Sequence, residues 1–567
     1  MAEQGFDEEV DLLVIGAGAA GMTAALTGAI AGLRVMLCEK TDMVGGTTAT
    51  SGGTTWVPGT ENSRRVGVPD RLEDADTFLR HVVGNRGGDH LRQAFLAAGP
   101  EAIADLEANS EVRFIAATAH PDYLDGPGAA FGGRALAPVE FDGRRLGADF
   151  ARIRPPRAVF MGLGGMMVGR AEVDALLNPM TSIANLKTTL GVVLPYFRDR
   201  ITKRRGTRLL MGNALVARLF YSLRQRDVPI RFKTALTDFI REDDRVIGAI
   251  VETSKGFRKI RVSRGVVLAT GGIGWNKDLR KQLFPPQIAN ISQAPEGNNG
   301  DGIAFATKIL GAALADPGDS AGLWMPCSLL THPDGSQSVW PHILLDRAKP
   351  GLIAVGRDGQ RFVNEADSYH DFCMGMIRAG LNEAWLIVDA DFMAHYGLGM
   401  VLPGGRGLKR LMRQGYLHHG GTIADLAREI GIDADNLEAS VAANNRNAAT
   451  GTDTEFGRGG SVVNRFNGDE GRPGNPCLAP IARPPYYAVR VVPVDLAGSG
   501  GLKCGVDGEV LDQSGQPIPG LYACGNDASS IFRGTYPGPG TTIGPAMVFG
   551  WRIARHAAGK AAPATLT

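Results

Sequence analysis

The chain has 567 residues, enough for about two to four domains, and its 44% hydrophobic and 21% charged content is that of an ordinary globular protein. A net charge of +1 supplies no electrostatic footprint for nucleic acid, and no such partner is expected. The six cysteines form neither a CxxC nor a Cys/His spacing suited to zinc, so the reading is no metal site and a reducing, cytoplasmic setting.

The amino terminus is acidic and lacks a signal-type apolar core, and no apolar run reaches the ~18 residues of a membrane span. Residues 11–15, DLLVI, form a continuous apolar run that leads directly into Gly16-Ala-Gly-Ala-Ala-Gly21. A small-residue helix over 22–31 and a second strand over 33–38 complete a βαβ unit that ends in Glu39. Residues 45–59 read as a Gly/Thr/Ser loop, 70–109 as helical, and 117–146 as irregular and glycine-rich. Short strands return over 229–270 and close on Ala269-Thr-Gly-Gly272. Helical segments such as 422–450 mark a middle region, strand signals resume at Tyr486, and a last helix is expected over about 542–558.

A GxGxxG match alone is weak, but this one follows a strand, opens a helix, and has an acidic residue 18 positions beyond its third glycine. Gly16 permits the tight turn, Gly18 lets backbone approach a pyrophosphate, and Gly21 lets helix and strand close together. Ala19 and Ala20 open a helix whose N-terminus suits phosphate, and Glu39, followed by Lys40, would accept from ribose hydroxyls. Glycine is 77 of 567 residues, and it gathers in three further clusters at 45–53, 269–272 and 520–526. These resemble the set found in flavoproteins of the fumarate reductase and succinate dehydrogenase superfamily. The resemblance implies FAD held by Gly46, Thr47, Thr48, Ser51, Gly52, Gly53, Ala269, Thr270, Gly271, Gly525 and Asn526, with Thr542 and Ile543 at a helix N-terminus near the flavin pyrimidine ring. No histidine lies in the 45–53 loop, so the FAD is expected to be noncovalent.

Residues 480–555, with GLYACGN and the loop GTYPGPGTTIG at 534–544, strongly resemble the 3-ketosteroid Δ1-dehydrogenase family, as do 10–60 and 355–372. The likeness covers most of the chain outside roughly 175–210. It implies an α/β protein in which a Rossmann-like FAD-binding domain is built from N- and C-terminal segments (1–320 and 485–567), with an inserted α+β catalytic domain at 321–484. It also implies roles. Tyr536 and the Gly540 N–H would bind the C3 oxygen of a 3-ketosteroid, Tyr369 would remove the C2 proton, and Tyr123 would hydrogen-bond Tyr369. The C1 hydrogen would leave as hydride to flavin N5, and a quinone or dye-like acceptor would reoxidise the cofactor. The chemistry suits these residue types, because two preorganised donors stabilise an enolate and a donating phenol lowers the pKa of a tyrosine base. A Δ4-(5α)-dehydrogenase, a fumarate-type reductase and a non-catalytic flavin- or steroid-binding protein remain alternatives. Asn364 and Glu365 are expected to hold the loop before Tyr369, and Gly300-Asp-Gly302 to start a helix or touch the cofactor.

Residues 176–208 depart from the compact family pattern. Leu186, Leu190, Val193, Leu194, Phe197 and Ile201 recur at helical spacing beside Lys187, Arg198, Arg200, Lys203, Arg204, Arg205 and Arg208, against the single acid Asp199. Pro195 is expected to kink this helix. Such a segment suits either a membrane surface or packing on protein, as a hairpin on its own chain or on a second subunit.

Overall fold

The computed structural model describes residues 5–158, 161–169, 172–343 and 346–566. The apolar run at the amino terminus becomes the strand Glu8–Ile15, which lies between Val35–Glu39 and the long strand Gly256–Leu268. Ile230–Phe232 pairs beyond Val35–Glu39, and Pro517–Ala523 pairs with the far end of Gly256–Leu268. These five strands run parallel. Their registers align Ile230, Leu37, Val14, Val267 and Tyr522 in one row across the sheet. An antiparallel extension, Arg245–Thr253 and Ala235–Glu242, completes the path, and Glu509–Leu511 pairs with Pro517–Ala523.

Parallel strands bury both faces, which explains why Leu12, Leu13, Val14 and Leu268 are fully buried and the sequence there is a continuous apolar run. The helix Ala19–Ile30 packs against the last helix, Ile543–Ala557. The glycine clusters at 16–21, 269–272 and 525–526 all follow the carboxyl ends of parallel strands, where open α/β sheets bind ligands.

A second, antiparallel sheet has the order Gln337–Pro341, Gly322–Thr331, Tyr486–Gly498, Ala384–Val388, Leu352–Val355, with Leu417–Gly420 also on Tyr486–Gly498. Tyr486–Gly498 is central to this sheet, so the chain returns to the parallel sheet after Gly498, beyond the expected boundary at 485. Against this sheet lies the helix Tyr369–Arg378.

The 176–208 segment forms the helix Ile183–Arg200, capped by Ser182, whose Oγ accepts from the Asn185 N–H at 3.0 Å. The helix continues through Pro195. Its one fully buried side chain is Tyr196, whose hydroxyl donates to the Leu163 carbonyl at 2.6 Å. Ile183, Leu190, Leu194, Phe197 and Ile201 are exposed, Ile201 to 81%. Three of the seven basic residues make bonds within the described fold, Arg200 by donating to the Arg204 carbonyl. Arg208 pairs with Glu140 and Glu172, both at 2.7 Å, and Arg205 donates to Asn213 at 2.7 Å. Among the described residues no helix is long and apolar enough to cross a membrane.

Candidate active site

One cavity of about 750 Å³ runs along the carboxyl ends of the parallel strands to the second sheet. Of the expected cofactor residues, Gly21 alone stays out of its wall. A Cβ on Gly21 would meet the Gly16 carbonyl at 1.9 Å, so this glycine lets the helix Ala19–Ile30 close onto the turn. Gly18 does the opposite. A Cβ there would meet no atom within 4 Å, so what the glycine keeps clear is the cavity itself. It is the N-cap of Ala19–Ile30 and offers no side-chain bond to the helix.

Glu39 sits at the cavity wall, but its carboxylate also organises the chain. It accepts from the Ala17 N–H at 3.0 Å and from the Thr41 N–H and hydroxyl, each at 2.9 Å. Lys40 is paired with Asp301 at 2.7 Å, which places Gly300-Asp-Gly302 both at a helix start, Asp301–Leu310, and at the cavity. Asp527 was not anticipated. It is fully buried and accepts from the Thr270 hydroxyl and from the Gly272 N–H at 2.9 Å, clamping the 269–272 cluster to 525–527. The GND sequence at 525–527, directly after a strand, was its only signal.

At the other end of the cavity three tyrosines converge from distant segments. Tyr369 is the first residue of its helix, capped by Ser368, whose Oγ accepts from the Asp371 N–H at 3.1 Å. The loop before it is fixed by buried charge. Arg361 pairs with Glu365 at 2.8 Å and Asp453 at 2.9 Å, and Arg347 donates to the Glu365 carbonyl at 2.6 Å. Asn364 bonds Asn464 at 2.9 Å and its Oδ1 accepts from the Ala366 N–H, so Asn364 and Glu365 hold the loop.

Tyr536 follows Gly534. His370 accepts the Trp324 N–H at Nδ1, at 3.2 Å, so its proton is on Nε2 and donates to the Gly534 carbonyl at 2.9 Å. Burial pushes the His370 pKa down, which keeps that neutral form. Tyr123 is anchored through its N–H to the Pro537 carbonyl at 2.7 Å. Its neighbour Asp122 takes the Trp56 indole N–H at 2.8 Å and Arg134 at 2.6 Å, all three being buried. Gly540 has φ +94°, and a Cβ there would meet the Thr54 carbonyl at 2.4 Å. Its own carbonyl accepts from the Trp56 N–H at 3.1 Å, which fixes the loop, and Gly540 is part of the cavity wall.

The Tyr369 hydroxyl donates to the Tyr536 hydroxyl at 2.9 Å. Ring centroids lie at 5.2 Å for Tyr369–Tyr536, 5.6 Å for Tyr123–Tyr369 and 5.8 Å for Tyr123–Tyr536. Here the expected electrostatics need correction. Burial raises the pKa of all three phenols, and the contacts of Tyr369 with Tyr123 and Tyr536 raise its own further. Tyr369 is the hydrogen-bond donor in this arrangement, so the bond favours phenolate on the acceptor and not on Tyr369. For Tyr369 to work as a base, its bond to Tyr536 must break and a neighbouring phenol must donate to it.

Met325, Ile343, Leu496 and Phe466 supply apolar wall at this end, with His120 and Asn467. His120 stacks on Phe466 at 6.0 Å. None of these six was singled out in the sequence, because nothing local marks an apolar wall residue apart from a core one. Among the described residues lining the cavity, the Lys and Arg side chains are Lys40 and Arg154, both at the Glu39 end, where Arg154 reaches the Thr41 hydroxyl at 3.4 Å.

Comparison with known proteins accounts for this arrangement. A family model described as FAD binding domain matches residues 11–543. A 3-oxosteroid 1-dehydrogenase of Mycobacterium tuberculosis is 36% identical over 98% of this chain and 99% of its own length. The chain belongs to the 3-ketosteroid Δ1-dehydrogenase family of FAD-binding proteins. A 4-oxocyclohex-2-ene-1-carboxylate 5-dehydrogenase of Sinomonas cyclohexanicum is also 36% identical, over 97% of this chain and 93% of its own. The crystal structure of the 3-ketosteroid Δ1-dehydrogenase of Sterolibacterium denitrificans, in complex with 1,4-androstadiene-3,17-dione, superposes with a TM-score of 0.89 at 34% identity, covering 97% of this chain and 100% of that one.

Membership makes this chain an FAD-dependent oxidoreductase, and its residues fit the cofactor. The Gly18 cradle and the N-terminus of the helix Ala19–Ile30, where the Ala19 N–H reaches the Thr48 hydroxyl at 3.3 Å, suit a pyrophosphate. The N-cap of Ile543–Ala557, Thr542, makes no side-chain bond. The helix ladder there starts with Gly544 N–H on the Gly540 carbonyl, leaving the Thr542 and Ile543 amides at the cavity wall.

Proposed function

We propose that this enzyme introduces the C1–C2 double bond into 3-ketosteroids. The observation that carries this reading is the convergence of Tyr369, Tyr536, Tyr123 and the Gly540 amide beside the FAD-binding clusters, within an apolar wall. Bound FAD, held noncovalently, would supply the hydride acceptor. The protein supplies the rest. Tyr536 and the Gly540 N–H donate to the C3 oxygen and stabilise the enolate charge that appears when C2 loses its proton. Tyr369 takes that proton, and Tyr123 donates to Tyr369 once the bond seen from Tyr369 to Tyr536 has broken, which leaves the Tyr536 proton for the C3 oxygen. Burial excludes water, so a phenolate formed there is costly and reactive, which suits abstraction of a weakly acidic hydrogen.

Residues 1–320 with 499–567 would form the FAD-binding part around an inserted 321–498. A quinone-like acceptor would reoxidise the flavin. The exposed Ile183–Ile201 face, beside Lys187, Arg198 and Arg204, would rest on an anionic lipid surface, from which an apolar substrate is drawn.

A second reading follows from the relative that acts on a cyclohexenone carboxylate. Such a substrate needs a cation about one ring away from its ketone, and the cavity's Lys40 and Arg154 sit at the opposite end. The steroid reading is favoured on that ground. Anaerobic mixing of the flavin-loaded enzyme with 4-androstene-3,17-dione, and separately with 4-oxocyclohexanecarboxylate, decides between them. Bleaching by the steroid alone, with NMR showing a new C1–C2 double bond, is the expected result. Bleaching by the carboxylate alone, or a double bond at C4–C5, would overturn it.

A further inference from the structure

The apolar wall beside the tyrosines contains a polar group whose hydrogen bonding is incomplete. Asn467 is the last residue of the helix Val462–Asn467 and lines the large cavity. It is buried, with 9% of its surface exposed. Its Nδ2 donates to the Val463 carbonyl at 2.9 Å. A carbonyl only accepts, so the amide nitrogen must face Val463 and the amide oxygen must point the other way. Among the described residues nothing donates to that oxygen, and it is not sealed into the core, so it opens on the cavity. An acceptor kept in apolar surroundings without a donor is costly, and a ligand that brings the donor removes that cost.

The place of Asn467 along the wall decides which part of a ligand it meets. Val463, one turn earlier in the same helix, packs in one apolar cluster with Tyr123, Tyr369 and Tyr536. From Tyr536 the rings step outward. Tyr123 lies 5.8 Å from Tyr536, His120 lies 6.4 Å from Tyr123, and Phe466 lies 6.0 Å from His120. Phe466 meets Phe131 edge-on at 5.9 Å, and Phe131 is 52% exposed. The wall at 466–467 is thus the outer end of this apolar region, and Tyr536 is at its inner end. A rigid four-ring substrate with its C3 oxygen on Tyr536 and Gly540 extends outward along this wall, with C17 at its far end.

We infer that Asn467 reads the group at C17, its oxygen accepting from a 17-hydroxyl, so that the enzyme favours 17β-hydroxy over 17-oxo 3-ketosteroids. The inference rests on the proposed function, because it needs a 3-ketosteroid anchored at Tyr536. A 17-hydroxyl supplies the missing donor. A 17-ketone has only lone pairs to offer and sets one acceptor against another. Asn467 keeps one further Nδ2 hydrogen, so a ketone is tolerated, but the amide oxygen then stays unpaired.

The test compares two steroids that differ only at C17, testosterone and 4-androstene-3,17-dione, on the flavin-loaded enzyme under anaerobic conditions. The rate of flavin bleaching against steroid concentration separates binding, read as the half-saturating concentration, from the limiting rate. Wild type is expected to be half-saturated at about three- to tenfold less hydroxysteroid than dione, the worth of one neutral hydrogen bond, with similar limiting rates. Asn467→Leu, which keeps the size and removes the acceptor, should erase that difference. Asn467→Asp retains an acceptor and should retain the preference. Titration of the oxidised protein with the two 1,4-diene products, read by the shift of the flavin band, should show the same order without turnover. A wild type half-saturated by the dione at equal or lower concentration would overturn the inference, whether or not either variant folds. So would a preference that survives Asn467→Leu undiminished. If neither steroid bleaches the flavin, the steroid reading itself has failed, and that result is distinct from an enzyme that bleaches with both and prefers neither.

Discussion

His370 binds the Gly534 carbonyl at 2.9 Å, and in doing so ties the helix that begins with Tyr369 to the loop that carries Tyr536. The two tyrosines sit 167 residues apart in sequence, and their hydroxyls meet at 2.9 Å because of anchors such as this one. His370→Ala is expected to lower kcat about tenfold or more through misplacement, with a smaller effect of His370→Gln, whose amide can still donate. KM for the steroid should change little. Steady-state kinetics of both variants checks this.

Tyr369→Phe removes the base and should lower the rate of anaerobic flavin bleaching by about 10²–10⁴-fold. Tyr536→Phe removes one of two donors to the C3 oxygen and should cost about 10²–10³-fold. The two effects should not multiply, since both residues act on one proton transfer. A double variant that loses the full product of the single losses would show that they act separately.

Asp367, two residues before Tyr369, offers a pH-dependent stability. Burial is the main cause that raises its pKa, from 3.8 to about 6. The folded state therefore binds this proton more tightly than the unfolded state does. The protonated form carries no penalty below about pH 4, and stability falls as pH rises from there through about 6. Asn464 donates to Asp367 at 3.0 Å, a bond an amide oxygen can also accept. Asp367→Asn should match wild type near the acid end and exceed it by an amount on the order of 1–3 kcal/mol at neutral pH. Urea unfolding across that range checks the sign.

The helix Ile183–Arg200 makes a different prediction. Leu194→Asp with Phe197→Asp should abolish sedimentation of the protein with anionic liposomes and leave turnover of a solubilised steroid near wild type. Neutral liposomes should pull down less of the wild-type chain. If the unaltered protein does not pellet with anionic vesicles, the lipid surface is wrong and the face belongs to protein.

The parallel sheet was legible because βαβ chemistry is local. Gly16–Gly21 and Glu39 lie within one unit, and their spacing alone sets their geometry. Tyr369, Tyr536 and Gly540 were found through the resemblance that their motifs carry. Trp56, Asp122, Arg134 and His370, which hold those groups, were not found, because Trp56–Asp122, Arg134–Asp70 and His370–Gly534 each span more than 60 residues and nothing near them in sequence names the partner. The strand Tyr486–Gly498 was recognised as a strand, but its place in the antiparallel sheet was not legible, since pairing partners are set by tertiary packing and not by the strand's own residues. The bond from Tyr369 to Tyr536 and the raised Tyr369 pKa were not anticipated, for a related reason. They depend on burial and two neighbouring phenols, and neither can be seen until the chain is folded.

The cavity takes one wall from Gly16–Gly18 and the facing wall from Gly525, Asn526, Thr542 and Ile543. A ribosome delivers those two walls more than 500 residues apart. The strand Glu8–Ile15 is made about 500 residues before Pro517–Ala523 and Ile543–Ala557, which complete its sheet and cover its helix. A nascent chain therefore lacks one wall of this cavity until Ile543 has been made. A chain truncated before Ile543 is expected to retain no flavin, however much of the sequence precedes it.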